Sequence, residues 1–137
     1  MGRILAIDYG RKRTGLAVTD TSQIIATPLE TVRTHLAIDY FKKYNEVEGI
    51  ESFVIGMPKN LQNQDTDSTA YVRSFITLLR KIFPDKTIHE VDERFTSKMA
   101  MASMIAGGMK KKERRKKENV DKISATIILQ SFLESRV

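Results

Sequence analysis

The sequence predicts an α/β fold built on a mixed five-stranded sheet, three antiparallel strands followed by parallel ones, with flanking helices. Three observations carry this. Residues 4–7 form an unbroken apolar run, the pattern of a strand buried on both faces. Two further strand-like segments follow at spacings too short for a helical crossover, as in an antiparallel meander. Beyond residue 33, helix-period and strand-like segments alternate, which calls for parallel strands joined by helices.

The first strand ends on Asp8, and Gly10 follows two positions later. A strand of this length delivers the carboxylate to the edge of the sheet, and the glycine lets backbone come close to whatever Asp8 holds. Asp8 is then either a turn residue or a ligand. The turn that follows is basic, with Arg11, Lys12 and Arg13 positioned to touch phosphates at the mouth of a site. Residues 15–19 form the second strand, and Asp20-Thr21-Ser22 its turn. Residues 24–32 form the third, interrupted at Pro28, which marks an edge or a bulge.

Thr34 is placed to cap a helix with the stripe Leu36, Tyr40, Tyr44 and Val47, ended by Gly49. Phe53-Val54-Ile55 is a buried strand closed by Gly56-Met57-Pro58. After a polar loop, Asp67 or Ser68 caps a helix with the stripe Val72, Phe75, Ile76, Leu79, Ile82 and Phe83. Residues 87–91 alternate as a strand and lead into Asp92-Glu93-Arg94. A methionine-rich helix follows to about Ala106, its methionines read as core filler. Asn119 is placed to cap the last helix, whose stripe is Ala125, Ile128, Leu129 and Phe132. Asp121 falls on that buried face, in the first turn. A carboxylate there serves the positive helix end or binds a cation, and burial requires a partner either way.

The 137 residues fit one domain, 1–137, with 41% hydrophobic and 29% charged residues. There is no cysteine, hence no disulfide and no thiolate metal site. No apolar run approaches the roughly 20 residues of a membrane span, and no signal-peptide pattern follows Arg3, so a cytoplasmic protein is expected. The net charge of +6 is concentrated. Lys110, Lys111, Lys112, Arg114, Arg115, Lys116 and Lys117 against Glu113 and Glu118 make residues 110–118 a +5 segment. That density suits a polyanion, with a solvated loop as the plain alternative.

Asp8 and Glu93 each lie just past a buried strand, and Asp121 starts a helix that can reach the same sheet edge. If the first and fifth strands are parallel neighbours, the three carboxylates converge, as sites in such sheets form where strand ends open onto a crevice. Gathered carboxylates repel unless they are protonated or hold cations. All-oxygen donors suit Mg²⁺ or Mn²⁺ rather than zinc, and such ions activate water for phosphodiester cleavage. Asp92, adjacent to Glu93, should face the other way. His35 and His89 have no companions to complete a metal site.

Four blocks in order resemble one family across nearly the whole chain. They are Ala6-Ile7-Asp8-Tyr9-Gly10-Arg11-Lys12-Arg13-Thr14-Gly15-Leu16-Ala17 with Asp20, then Gly56-Met57-Pro58-Lys59-Asn60, then Asp92-Glu93-Arg94-Phe95-Thr96-Ser97, and Val120-Asp121 leading into Ala125 and Ile128-Leu129. The chain resembles the YqgF family of pre-16S ribosomal RNA nucleases, also called Holliday-junction-resolvase-like proteins. The resemblance implies an RNase H-like fold, with Asp8, Glu93 and Asp121 as catalytic and metal-binding residues. It implies trimming of precursor ribosomal RNA at the end preceding the mature small-subunit RNA, with that RNA and the small subunit as partners and a monomer or weak dimer as the working form. Arg13, Arg94 and Thr96 match family positions of substrate contact or support, and Gly10 and Asn60 belong to matched loops. Asn63 and Thr66 depart from the glycine-bearing loop usual in the family, and Lys59 replaces an apolar residue. The alternatives are a junction-resolving DNA nuclease on the same scaffold and a non-catalytic RNA-binding module.

Overall fold

A computed structural model describes residues 2–58, 67–92 and 117–136, with backbone alone at 117–120. The predicted helix before Ala106 and most of the basic segment lie outside the described residues. Strand β1 (Arg3–Asp8) pairs antiparallel with β2 (Arg13–Thr19), and β2 pairs antiparallel with β3 (Ala26–Arg33). Strand β4 (Ile50–Met57) runs parallel to β1, and β5 (Thr87–Asp92) parallel to β4. The order is β3-β2-β1-β4-β5, a mixed sheet as expected.

The apolar runs explain who is central. Ile4 to Ile7 and Phe53 to Ile55 are almost wholly shielded, because β1 and β4 are covered on both faces. On one face Leu5, Ile7, Leu16, Phe53 and Ile55 pack under α1 (Ala37–Val47) and α2 (Asp67–Ile82). On the other, Ile4, Ala6, Ala17 and Val54 meet Ala125, Ile128 and Leu129 of α3 (Lys117–Ser135). β3 is an edge strand, and its ladder slips where Leu16 pairs Glu30 and Ala17 pairs Pro28, skipping Leu29. Pro28 therefore marks both an edge and a bulge.

Several local expectations shift. β3 begins at Ala26, because the N–H groups of Ile24 and Ile25 donate to the Asp20 carboxylate, each at 2.9 Å, instead of to a ladder. Those bonds hold the Asp20 carboxyl below its ordinary pKa. Thr34 opens a 3₁₀ turn (Thr34–Leu36) and does not cap α1. The buried positions of α1 are Ala37 and Phe41, while Leu36 and Val47 stay exposed. Both sets satisfy helical spacing; the phase is chosen by Phe41, whose ring meets Phe53 at 5.4 Å and Phe75 at 6.4 Å. Gly49, at φ +81°, ends the segment as expected. α3 begins at Lys117, so Asn119 is interior and not a cap, and Asp121 is the fifth residue. Lys and Glu are good helix formers and carry the helix back past Asn119.

Candidate active site

The site is built from the end of β1 outward. Alternation along β1 puts Asp8 on the same side as Ile4 and Ala6, facing α3, at the carboxyl end of the strand. Its ladder partner is Gly15 of β2. A Cβ on Gly15 would lie 2.2 Å from the carbonyl oxygen of Asp121 and 2.9 Å from its Cβ. The missing side chain is thus the seat on which the backbone of α3 rests. Cross-strand partners hold their Cβ positions about 4.5–5.5 Å apart. Asp8 and Asp121, 113 positions apart in the chain, therefore have Cβ atoms within about 8 Å of each other.

The β1–β2 turn is held rigidly. Gly10 has no room for a side chain, since its Cβ would sit 2.3 Å from the Arg13 carbonyl oxygen. Its role is close approach within the turn. Thr34 ties the turn from outside: its hydroxyl donates to the Gly10 carbonyl and pairs with the Thr14 hydroxyl at 2.9 Å, and its N–H donates to the Lys12 carbonyl at 3.0 Å. Arg13 Nε donates to Asp121 Oδ2 at 3.4 Å, both side chains half-buried. The Arg11 guanidinium lies 4.4 Å from the centre of the Tyr71 ring on α2. Turn, Ser68 and Tyr71 of α2, and Asp121 of α3 line a cavity of about 630 Å³.

Asp8, Asp121, Gly10 and the Arg11-Lys12-Arg13 turn are thus brought together. Asp92 ends β5, is exposed, and by alternation faces away from α3, since Val91 faces it. β5 is not a neighbour of β1: β4 lies between them, although all three are parallel. Glu93, Arg94, Thr96, Asn60 and residues 110–116 lie outside the described residues, as does the side chain of Lys117. Among the described residues no three His, Cys, Asp or Glu side chains cluster as a metal site. His89 is half-buried and packs its ring 4.6 Å from Phe132. Sequence reasoning missed Gly15, Thr34 and Tyr71. Only Gly15 carried a signal, as a glycine inside a strand pattern.

A family model described as RuvX: Holliday junction resolvase matches residues 2–135. The chain belongs to the RuvX family. With the family it joins the nucleases, hydrolases of phosphodiester bonds. A relative from Amoebophilus asiaticus is 53% identical over 135 residues, covering 98% of this chain and 96% of the relative. One from Phocaeicola vulgatus is 54% identical over 136 residues, covering 99% and 98%. Both bear the name "Putative pre-16S rRNA nuclease". Among solved structures, T. thermophilus RuvC in complex with a Holliday junction substrate matches with TM-score 0.57 at 16% identity, covering 99% of this chain and 96% of that one. The yeast mitochondrial Holliday junction resolvase Ydc2 matches with TM-score 0.53 at 11% identity, covering 99% and 85%. This RuvX chain thus shares the RNase H-like fold of RuvC.

Proposed function

We propose that this RuvX chain is a divalent-metal-dependent endonuclease, one domain over residues 1–137, that trims the 5′ side of pre-16S ribosomal RNA in the cytoplasm. The observation that carries the reading is the gap at Gly15, which brings Asp121 against the strand partner of Asp8. Asp8 and Asp121 bring two hard carboxylates to this end of the sheet, and among the described residues no sulfur or imidazole lines the cavity, a donor set that fits Mg²⁺ or Mn²⁺. Asp8, Asp121 and Glu93 would hold the ion, Glu93 following directly on the last residue of β5. A bound divalent cation supplies a water nucleophile and stabilises the leaving oxygen.

The remaining residues bind and orient. Arg11 and Lys12, on a turn pinned by Thr34, hold backbone phosphates at the cavity mouth. Arg13 neutralises Asp121 until substrate arrives. Arg94 and the basic residues of 110–117 add affinity for the polyanion, with Asn60 and Thr96 in supporting loops. The relatives' names favour precursor ribosomal RNA as substrate, and the small ribosomal subunit as the setting. The test is incubation of purified protein with precursor ribosomal RNA in Mg²⁺, in Mn²⁺ and in chelator, beside Asp8→Asn, Glu93→Gln and Asp121→Asn. Cutting lost in chelator and in each variant, with RNA affinity kept, supports the reading. Cutting that persists in all three variants removes the carboxylates from the chemistry. A second reading, junction resolution, is favoured by the family description and the RuvC likeness. Dimeric protein that cuts four-way DNA junctions and ignores the RNA would establish it instead.

A further inference from the structure

Two smaller cavities extend the basic surface away from the candidate active site. One of about 200 Å³ shares Lys12 and Arg13 with the site and adds Arg33. The next, about 370 Å³, shares Val32 and Arg33 with it and adds Leu36 of the 3₁₀ turn and Tyr40 and Lys43 of α1. The three adjoin in sequence, so the path rounds the end of the edge strand β3.

The ladder gives Arg33 a reason to look outward. It sits directly across from Arg13, and like charges in that position repel. Arg13 is compensated by Asp121, whereas among the described residues Arg33 has no carboxylate within ion-pair distance. An anion between or beside the two arginines relieves the repulsion. Next to them, Leu36 is 48% exposed and Tyr40, one helical turn on, is half-buried. Cations flanking an apolar, aromatic ledge are what a single strand needs: charge for phosphates and a flat surface for an unpaired base. A duplex keeps its bases stacked inside and has no use for such a ledge. Asp39 also lines the last cavity, so the attraction is concentrated at Arg33 and Lys43.

We propose that Arg33, Lys43, Leu36 and Tyr40 form an exit track that holds a single-stranded flank of the nucleic-acid substrate as it leaves the active site. The proposal rests on the nuclease reading for its direction. Its test is binding alone, so the two fail separately. Fluorescence anisotropy without divalent cation would compare a 12-nucleotide RNA single strand, a 4-nucleotide strand and a blunt 12-base-pair RNA duplex. With Arg33→Ala/Lys43→Ala, affinity for the long strand should fall about tenfold, and its salt slope should drop by about 1.4, the loss of two phosphate contacts. The short strand and the duplex should stay within about twofold. Leu36→Ala should weaken the long strand while leaving heparin, a polyanion without bases, unchanged. Equal losses on all three RNAs, or an equal loss of heparin with Leu36→Ala, would mean a general charged surface and overturn the track. So would unchanged binding, which would leave the ledge to a protein partner. Precursor ribosomal RNA left uncut in both Mg²⁺ and Mn²⁺, beside tight long-strand binding, would sink the nuclease reading and leave the track standing.

Discussion

The two faces of the sheet are filled by different means. Under α1 and α2 the core is aromatic: Phe41, Phe53, Phe75 and Phe83 touch ring to ring at 5.3–6.4 Å. Under α3 the sheet presents Ala6, Ala17 and Gly15 beside Ile4 and Val54, and the helix answers with Ala125 beside Ile128 and Leu129. Large side chains hold a helix off the strands and supply burial. Small ones let helix backbone rest on the sheet and so fix the position of what that backbone carries. Both faces stabilise the fold by burial; the second also sets the distance between Asp8 and Asp121.

Four expected outcomes would break or sharpen this contrast. Phe41→Ala on the aromatic face should cost about 3–5 kcal/mol in denaturant unfolding, with cutting per folded molecule unchanged. Gly15→Ala on the small-residue face should cost less, about 1–3 kcal/mol, yet lower cutting more than 100-fold, because the added methyl must displace Asp121. Equal activity loss in the two variants would erase the distinction between the faces. Arg13→Ala should move unfolding by only about 0.2–1 kcal/mol, as expected for a half-exposed ion pair, while weakening RNA binding in a salt-dependent titration. The smallest effect is on the acid limb of stability. Glu51 accepts from Gln23 and from the Gly2 N–H, and these bonds hold its carboxyl below the usual 4.5. A lowered folded-state pKa gives stability that is present above 4.5 and lost as pH falls through the folded value. Thermal unfolding of Glu51→Gln should accordingly show a shallower loss of stability below pH 4.5 than the parent.

Much of this could be read from residue order, and the failures share a cause. Apolar runs identify β1 and β4 because burial on both faces leaves no room for polar residues. The α2 stripe is legible because Val72, Phe75, Ile76 and Leu79 admit one phase only. In α1 two phases fit, and the choice lies with Phe53 and Phe75, distant in sequence. The insertion of β4 between β1 and β5 leaves no local trace, since periodicity describes an element and not its neighbour. Asp8 and Asp121 were legible as candidates, one a carboxylate at a strand end and the other on the apolar stripe of a helix. What joins them was not, because Gly15 acts by lacking a side chain. Glu93 and most of the basic segment belong to residues outside those described.

The slip at Leu29 has a consequence for how these molecules behave in a crowd. An outermost strand with an unbroken row of amide donors invites a second sheet to zip onto it. Here Pro28 contributes no donor, and the skipped residue throws the spacing of the rest out of step. A rim so notched resists indefinite stacking of one copy on another.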